Sequence, residues 1–380
     1  MSLEEIRDRI SSLDEQIVNL VVDRMKLATE VAKYKKENGI PVLNRTRERE
    51  IMTRVTSQAG EDFEEYAKIL FSILFDLSKS YQIRLLTGEG KLATEISNAL
   101  ETTPQLFPSK AVVACQGIDG AYSQQACDKL FSIPEIIYCR HFEGVFQAVD
   151  SGLCRYGILP IENSMYGSVR SVYDLMKDYH FHIARSVRLC VSHTLLAREQ
   201  VDISQIKEII SHEHGIGQCS EFLRKHKEIK VTLCENTALA AKYVADSNRN
   251  DIAAISSRNC AELYGLRVLS DDVQNNANNY TRFICISKNL EIYPGANRIS
   301  LMMTLPHRPG ALYSLIARFA ALGLNLTKLE SRPIAGKDFE FMFYFDMDAS
   351  VCSRDVIKLL SRFEYGPGQF EFLGCYTESV

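Results

Sequence analysis

Residues 278–283 read Asn278-Asn279-Tyr280-Thr281-Arg282-Phe283 and run into the apolar stretch Ile284-Cys285-Ile286. Thr281 and Arg282 set a hydroxyl beside a guanidinium where a loop enters a strand expected over Arg282–Ile286. A hydroxyl can hydrogen-bond or protonate a leaving group, and a guanidinium can hold an anion through paired N–H donors. Strand-end loops of open α/β sheets are where ligands bind. The plain alternative is a polar loop ahead of an edge strand, with Arg282 facing a structural carboxylate. Four other segments carry similar chemistry. They are Gly117-x-x-Gly120-Ala121-Tyr122-Ser123, Pro160-Ile161-Glu162-Asn163-Ser164 with Gly167, Ser211-His212 with Gln218-Cys219, and Glu235-Asn236-Thr237 ahead of a helical run. Taken singly, each has an ordinary reading. Gly117 and Gly120 could simply turn a strand into a helix, and Glu162-Asn163-Ser164 could cap the helix that follows.

A second set of charged residues lies in a helical section. Residues 1–84 contain no Gly or Pro except Gly39, Pro41 and Gly60. Ile6, Ile10, Leu13, Ile17, Leu20, Leu27 and Val31 recur in steps of three and four, a heptad seam. The pattern predicts helices to about Glu37, over about Thr46–Ser57 and over about Phe63–Leu86. Arg24 occupies a seam position, where an unpaired charge is costly. Lys35 lies about three turns further on the same face. Ser78 and Gln82 are paired at i, i+4, and Arg47 and Glu48 open the second helix. Together they form either a basic, hydrogen-bonding pocket or a solvated charged surface. The first helix, about 50 Å long, carries more seam than so small a section can bury, so a helical dimer is expected.

The elements that must position these residues fall into three sections of a 380-residue chain, with residues 87–110 as a connector. Domains are expected at 1–86, 111–290 and 297–380. Residues 111–290 alternate strand and helix signals, which predicts an α/β domain of two lobes around a cleft. Residues 297–380 read β-α-β-β-α-β, a ferredoxin-like order, with the third strand expected over Phe339–Asp346. The fold class is therefore multidomain: all-α, two-lobed α/β, then α+β. The net charge of −4 shows no basic excess for nucleic acid. No apolar run is long enough to span a membrane. The acidic start Met1-Ser2-Leu3-Glu4-Glu5 does not read as a secretory signal. Eleven Cys without a C-x-x-C pair fit reduced thiols in a cytoplasmic protein. His212-Glu213-His214 has i, i+2 spacing, unlike a helical ligand pair, so no metal and no cofactor is expected.

With these residues in view, nearly the whole chain resembles the bifunctional chorismate mutase–prephenate dehydratase family. Residues 4–84 look like an all-helical chorismate mutase, on Arg7 with Leu13-Asp14-Glu15, Arg24, Lys35, Pro41-Val42, Arg47-Glu48-Arg49, Ser78 and Gln82. The resemblance implies rearrangement of chorismate to prephenate without a covalent step. It makes Arg24 and Arg47 carboxylate holders, with Arg7 reaching in from the other subunit. Lys35 and Gln82 would face the ether oxygen, Glu48 the ring hydroxyl, and Ser78 a carboxylate. Asn44 departs from the pattern, since many relatives carry Asp there. The five α/β segments resemble prephenate dehydratase, whose two-lobed domain is like periplasmic binding proteins. That implies loss of carbon dioxide and water from prephenate to give phenylpyruvate. Thr281 would act on the leaving hydroxyl and Arg282 would anchor an anion. Asn163, Ser211 and Gln218 would position substrate, with Glu162 near them and Ser123 and Thr237 as pocket hydroxyls.

In the last section, Arg308-Pro309-Gly310-Ala311-Leu312 opens a helix and Glu330-Ser331-Arg332-Pro333 ends a strand. These resemble the two signatures of an amino-acid-binding ACT domain and imply feedback inhibition by phenylalanine. Physically, Gly310 lets a ligand approach the backbone, and free amides at a helix N-terminus attract a carboxylate. The plain alternative is that Pro309 and Gly310 only shape the helix start. Two rival readings of the whole chain stand beside this one. In the first, a dehydratase carries a purely dimerising helical section. In the second, the chain is a non-enzymatic solute-binding sensor.

Overall fold

The computed structural model describes residues 2–87, 90–271, 273–276, 278–334, 340–364 and 368–379. They form two compact units. One comprises Met1–Ser97, Met302–Phe345 and Val351–Phe370; the other comprises Asn98–Leu301, Asp346–Ser350 and Glu371–Val380. Among the described residues no helix is long and apolar enough to cross a membrane.

The N-terminal helices are α1 (Leu3–Glu37), α2 (Arg45–Ala59), α3 (Glu64–Thr87) and α4 (Lys91–Thr102). Ser2 starts α1 through a capping box, its hydroxyl accepting from Glu5 N while the Glu5 carboxylate accepts from Ser2 N. Asn44 caps α2 by accepting from Arg47 N at 3.0 Å. Both α1 and α2 pack on α3. The face that α1 buries is a stripe of small residues, Ala28 and Ala32. The heptad seam itself stays open to solvent: Ile10, Leu13, Ile17 and Leu20 are 52–69% exposed.

The α/β section runs β1 (Lys110–Gln116), α5 (Tyr122–Leu130), β2 (Ile133–Cys139), α6 (Phe142–Asp150), β3 (Tyr156–Asn163), β4 (Gly167–Ser168), α7 (Arg170–Tyr179) and β5 (His182–Cys190). It continues with β6 (Thr194–Ala197), a short 3-10 turn, β7 (Glu208–Ser211), α8 (Glu213–Gln218), α9 (Ser220–Lys225), β8 (Lys230–Leu233), α10 (Thr237–Asp246), β9 (Ile252–Ser256), α11 (Asn259–Tyr264), β10 (Arg267–Ser270) and β11 (Tyr280–Ser287). Two sheets result, as the two-lobed expectation requires. The first has the order β16-β5-β11-β3-β1-β2 with β4 on β3, and the second has β10-β6-β9-β7-β8. The chain passes from sheet to sheet after β5 and returns before β11. Each sheet has its own apolar core, built on Tyr156, Ile158, Phe283 and Cys285 in the first and on Leu195, Ile209, Ala253 and Ile255 in the second. Strands β4, β6, β10 and β16 were not foreseen from the sequence.

The C-terminal section holds β12 (Arg298–Thr304), α12 (Ala311–Ala321), β13 (Asn325–Pro333), β14 (Phe341–Asp348), α13 (Arg354–Glu364), β15 (Phe370–Tyr376) and β16 (Glu378–Ser379). The sheet order β13-β14-β12-β15 is the ferredoxin-like one. The expected start of its third strand, Phe339, lies outside the described residues. The last pair, β16, leaves this sheet and runs parallel to β5.

A buried polar network lies within the second unit. Arg282 Nη2 contacts Asp346 Oδ2 at 2.5 Å and Glu162 Oε2 at 3.3 Å. The other Asp346 oxygen accepts from Ser300 Oγ at 2.6 Å, and Tyr376 OH lies 2.7 Å from the same hydroxyl. Burial alone would push the Arg282 guanidinium down. Tyr376, Asp346, Tyr173 and Glu162 outweigh burial and raise it. Removing one partner of such a pair leaves an uncompensated buried charge. Asp346→Leu alone is therefore expected to cost roughly 3–5 kcal/mol in urea unfolding, whereas Arg282→Met with Asp346→Leu recovers most of that. A double variant as unstable as Asp346→Leu would show that the pair is not the source of the loss.

Candidate functional site

In the α/β section the strand pairing joins two distant motifs. Strand β11 lies antiparallel to β3, with Thr281 opposite Asn163 and Arg282 opposite Glu162. The amide of Asn163 organises this end of the sheet. Its Nδ2 lies 2.9 Å from Thr281 Oγ1 and 2.9 Å from Asn279 Oδ1, and its Oδ1 accepts from Met165 N and Tyr166 N. Expected as a substrate contact, Asn163 is thus engaged on both sides by its own fold. Thr281 accepts from Asn163, which leaves the hydroxyl proton of Thr281 available to donate elsewhere. Buried Asn279 keeps Nδ2 without a partner among the described residues.

Arg282 is the clearest departure. Successive strand residues point to opposite faces, and β11 begins at Tyr280, two residues before the expected start. Thr281 and Arg282 therefore share no face. With 8% exposure, Arg282 is engaged by two carboxylates of its own fold, as in the alternative that the sequence left open. Glu162, expected beside the substrate contacts, is one of those carboxylates.

The second sheet contributes another group. Ser211, at the end of β7, is fully buried and donates to Ile255 O at 2.6 Å. A Cβ at Gly215 would lie 2.7 Å from Ser211 Oγ and 3.4 Å from Thr237 Cγ2, so Gly215 leaves room for both side chains. At the other end of α8, Gln218 Oε1 lies 2.6 Å from His193 Nε2. Tyr166, from the β3–β4 turn, stacks on His214 with ring centroids 4.5 Å apart and so links the two groups. Ser123 sits buried in the first turn of α5. Its start needs Gly120 at φ +87°, where a Cβ would meet Cys260 and Leu263. His212 serves as the N-cap of α8. His193 and Gln274, which accepts from His193 N at 3.0 Å, belong to none of the sequence motifs. The polar Ser192-His193 pair between two apolar runs was the available signal for the crossover.

In the helical section the structure brings Arg24 and Lys35 to the α3 side of α1. Arg24 Nη1 donates to Leu74 O at 3.3 Å and its guanidinium lies 5.9 Å from the Phe75 ring. Lys35 Nζ donates to Val42 O at 2.7 Å. Desolvation lowers the pKa of both, with Glu48 opposing it at Lys35. Gln82 Nε2 donates to Ser78 Oγ at 3.1 Å, and buried Gln82 Oε1 has no partner among the described residues. Glu48 pairs with Lys79 at 2.9 Å. Arg47 instead turns outward to Glu50 at 3.0 Å and is 61% exposed. Arg7 is exposed, and 17 residues of helix, about 25 Å, separate it from Arg24. The two cannot serve one pocket of a single chain.

In the C-terminal section Gly310 caps α12 at φ +78° without a side-chain cap, and a Cβ there would meet open space. Pro309, Ala311 and Leu312 surround it, and α12 packs against β13. Arg308 Nη2 reaches Asp76 of α3 at 3.0 and 3.1 Å. On β13, Glu330 receives Arg332 Nε at 2.9 Å, with Ser331 exposed between them.

The family model described as chorismate mutase type II matches residues 6–83, and that described as prephenate dehydratase matches residues 113–291. The chain is 31% identical over 385 residues to a bifunctional chorismate mutase/prephenate dehydratase of Escherichia coli, covering 99% of this chain and 96% of that protein. It is 36% identical over 280 residues to a chloroplastic arogenate dehydratase/prephenate dehydratase of Arabidopsis thaliana, covering 70% and 73%. A prephenate dehydratase of Arthrobacter aurescens, solved in complex with L-Phe, superimposes with a TM-score of 0.63 at 28% identity, covering 70% of this chain and 89% of that one.

One pH response follows from His193. Desolvation and His212 lower its pKa, more than the Gln218 hydrogen bond raises it. The folded state therefore keeps this imidazole neutral. As pH falls through the unfolded value of about 6.5, the unfolded chain takes a proton that the folded one resists, and stability drops. His193→Asn should flatten the loss of urea midpoint between pH 7 and pH 5.5; an unchanged slope would assign the loss to other groups.

Proposed function

The chain belongs to the bifunctional chorismate mutase/prephenate dehydratase family, and from that premise we propose how its residues divide the two reactions. The mutase occupies 1–86 and the dehydratase 111–290, with 87–110 joining them, while 297–380 is an ACT domain that senses phenylalanine. Chorismate is rearranged to prephenate: the ether C–O bond breaks as a C–C bond forms. Prephenate then loses carbon dioxide and its ring hydroxyl to give phenylpyruvate and water.

In the mutase, Arg24 holds a carboxylate, and Lys35 and Gln82 meet the ether oxygen. A donor there requires the Gln82 amide to present Nε2, which its free carbonyl face permits after a flip. Glu48 takes the ring hydroxyl and Ser78 assists a carboxylate. The work is conformational restriction and preorganised charge. Arg7 of the partner subunit completes each pocket, since no single chain spans the distance. The exposed seam of α1 supports a homodimer as the working form. Arg47 must turn inward when substrate binds.

In the dehydratase, the hydrogen bond from Asn163 to Thr281 Oγ1 is the observation that carries the reading. It orients the hydroxyl and leaves its proton for the departing ring hydroxyl. Asn163 acts through Thr281 rather than on substrate. Ser123, Ser211, Gln218 and Thr237 line the substrate side, with Asn279 Nδ2 as a further donor. Arg282 and Glu162 hold the strand and leave substrate binding to the others. In the ACT domain, the carboxylate of phenylalanine meets the free amides at the start of α12. The solved relative with bound L-Phe supports this effector.

Assays on added chorismate and on added prephenate separate these assignments. Arg24→Ala should lower mutase turnover by about 10²-fold or more and spare the dehydratase; Thr281→Ala should do the reverse. Mixing Arg7→Ala and Arg24→Ala subunits should restore about a quarter of the mutase activity, because half of the dimers carry one intact site. No recovery would refute shared pockets, and a parent without mutase activity would reduce the helices to a dimerising role. Separately, Gly310→Val should weaken inhibition by phenylalanine about tenfold or more with little change in uninhibited turnover, since it fills open space beside the amides at a left-handed position. Unaltered inhibition would move the effector site elsewhere.

A further inference from the structure

Helix α3 places Lys79 one residue after Ser78 and three before Gln82, on the side that meets α2. Its Nζ lies 2.9 Å from Glu48 Oε1 and 3.1 Å from Asp76 Oδ1. The three side chains are only 12–30% exposed, so the pairs are less screened than surface ones. Asp76 is held in turn by Arg308 Nη2. The lysine is thus fixed between two carboxylates, and either would be left facing the other if it swung away. Glu48 also lies within the field of Lys35, which already donates to Val42 O. Without Lys79, Glu48 would turn to Lys35 and draw that ammonium from its place in the pocket. It would also stand uncompensated near a substrate with two carboxylates.

We propose that Lys79 is a positioning residue of the mutase reaction: it holds Glu48 where it can receive the substrate hydroxyl and keeps it off Lys35. The proposal rests on the assignment of Glu48 to the chorismate pocket. Nothing in it requires Lys79 to touch substrate.

The test is a double-mutant cycle on the full chain, with mutase kinetics on chorismate and dehydratase kinetics on added prephenate as the control for folding. Lys79→Met should lower mutase kcat/KM about tenfold and leave the dehydratase unchanged. Lys79→Arg, which keeps the charge, should recover to within about threefold of the parent. In a Glu48→Gln background, Lys79→Met should add no further loss, an outcome that a merely structural role would not produce. Additive losses would overturn the proposal. So would Lys79→Met at parental kcat/KM while Glu48→Gln is impaired. If Glu48→Gln itself retains full mutase activity, the pocket assignment beneath the proposal falls instead. Should Lys79→Met lose dehydratase activity, Lys79→Gln replaces it in the same cycle with the same expected pattern.

Discussion

The geometry around Thr281 depends on the buried pair between Arg282 and Asp346. β11 lies between β5 and β3, and its Arg282 faces away from the side that carries Thr281. The charge of Arg282 could not be buried alone. Asp346 meets it with one oxygen and engages Ser300 with the other, while Glu162 approaches from β3. One carboxylate thereby links β14 and β12 to β11, and Tyr376 adds β15 through the Ser300 hydroxyl. The hydroxyl one residue away inherits this restraint. Both carboxylates meet the guanidinium at one nitrogen, Nη2.

The short motifs of the α/β section were legible because each carries its own local chemistry: glycines at a strand-to-helix turn, polar residues at a cap, hydroxyls at a strand end. The face that each side chain occupies was less legible. Thr281 and Arg282 read as one bifunctional pair only while Thr281 is placed in a loop. Once β11 starts at Tyr280, period-two alternation parts them. Asn163 shows the same limit. Its type suggests substrate binding, but its own turn holds the amide oxygen, and Asn279 and Thr281, more than a hundred residues away, hold the amide nitrogen.

Sheet order followed a similar division. The ferredoxin-like arrangement was readable because its strands are long, its first helix stops at Gly323, and the connections are short. β6 and β10 escaped notice because each carries a single β-branched residue, whereas the equally short β7 and β8 carry two. β16 escaped because two residues after a strand end carry no pattern at all. It is held by pairing with β5 and by Arg298 gripping Glu378 at 3.0 Å, neither of which local sequence reports.

The helical section was legible in another way, through an inconsistency. A heptad seam calls for a partner, yet the face that α1 turns to α3 is the small-residue stripe of Ala28 and Ala32, which admits close helix approach and leaves Ile10, Leu13, Ile17 and Leu20 uncovered. Arg24 lies toward the covered end of α1 and Arg7 at the uncovered one. A second α1 laid antiparallel along the seam would bury those apolar side chains. It would also carry Arg7 of the partner subunit toward Arg24, which no bending of one helix could do. The exposed apolar seam and the proposed sharing of a pocket by the two arginines would be met by the same partner, although the seam is read without reference to the pocket.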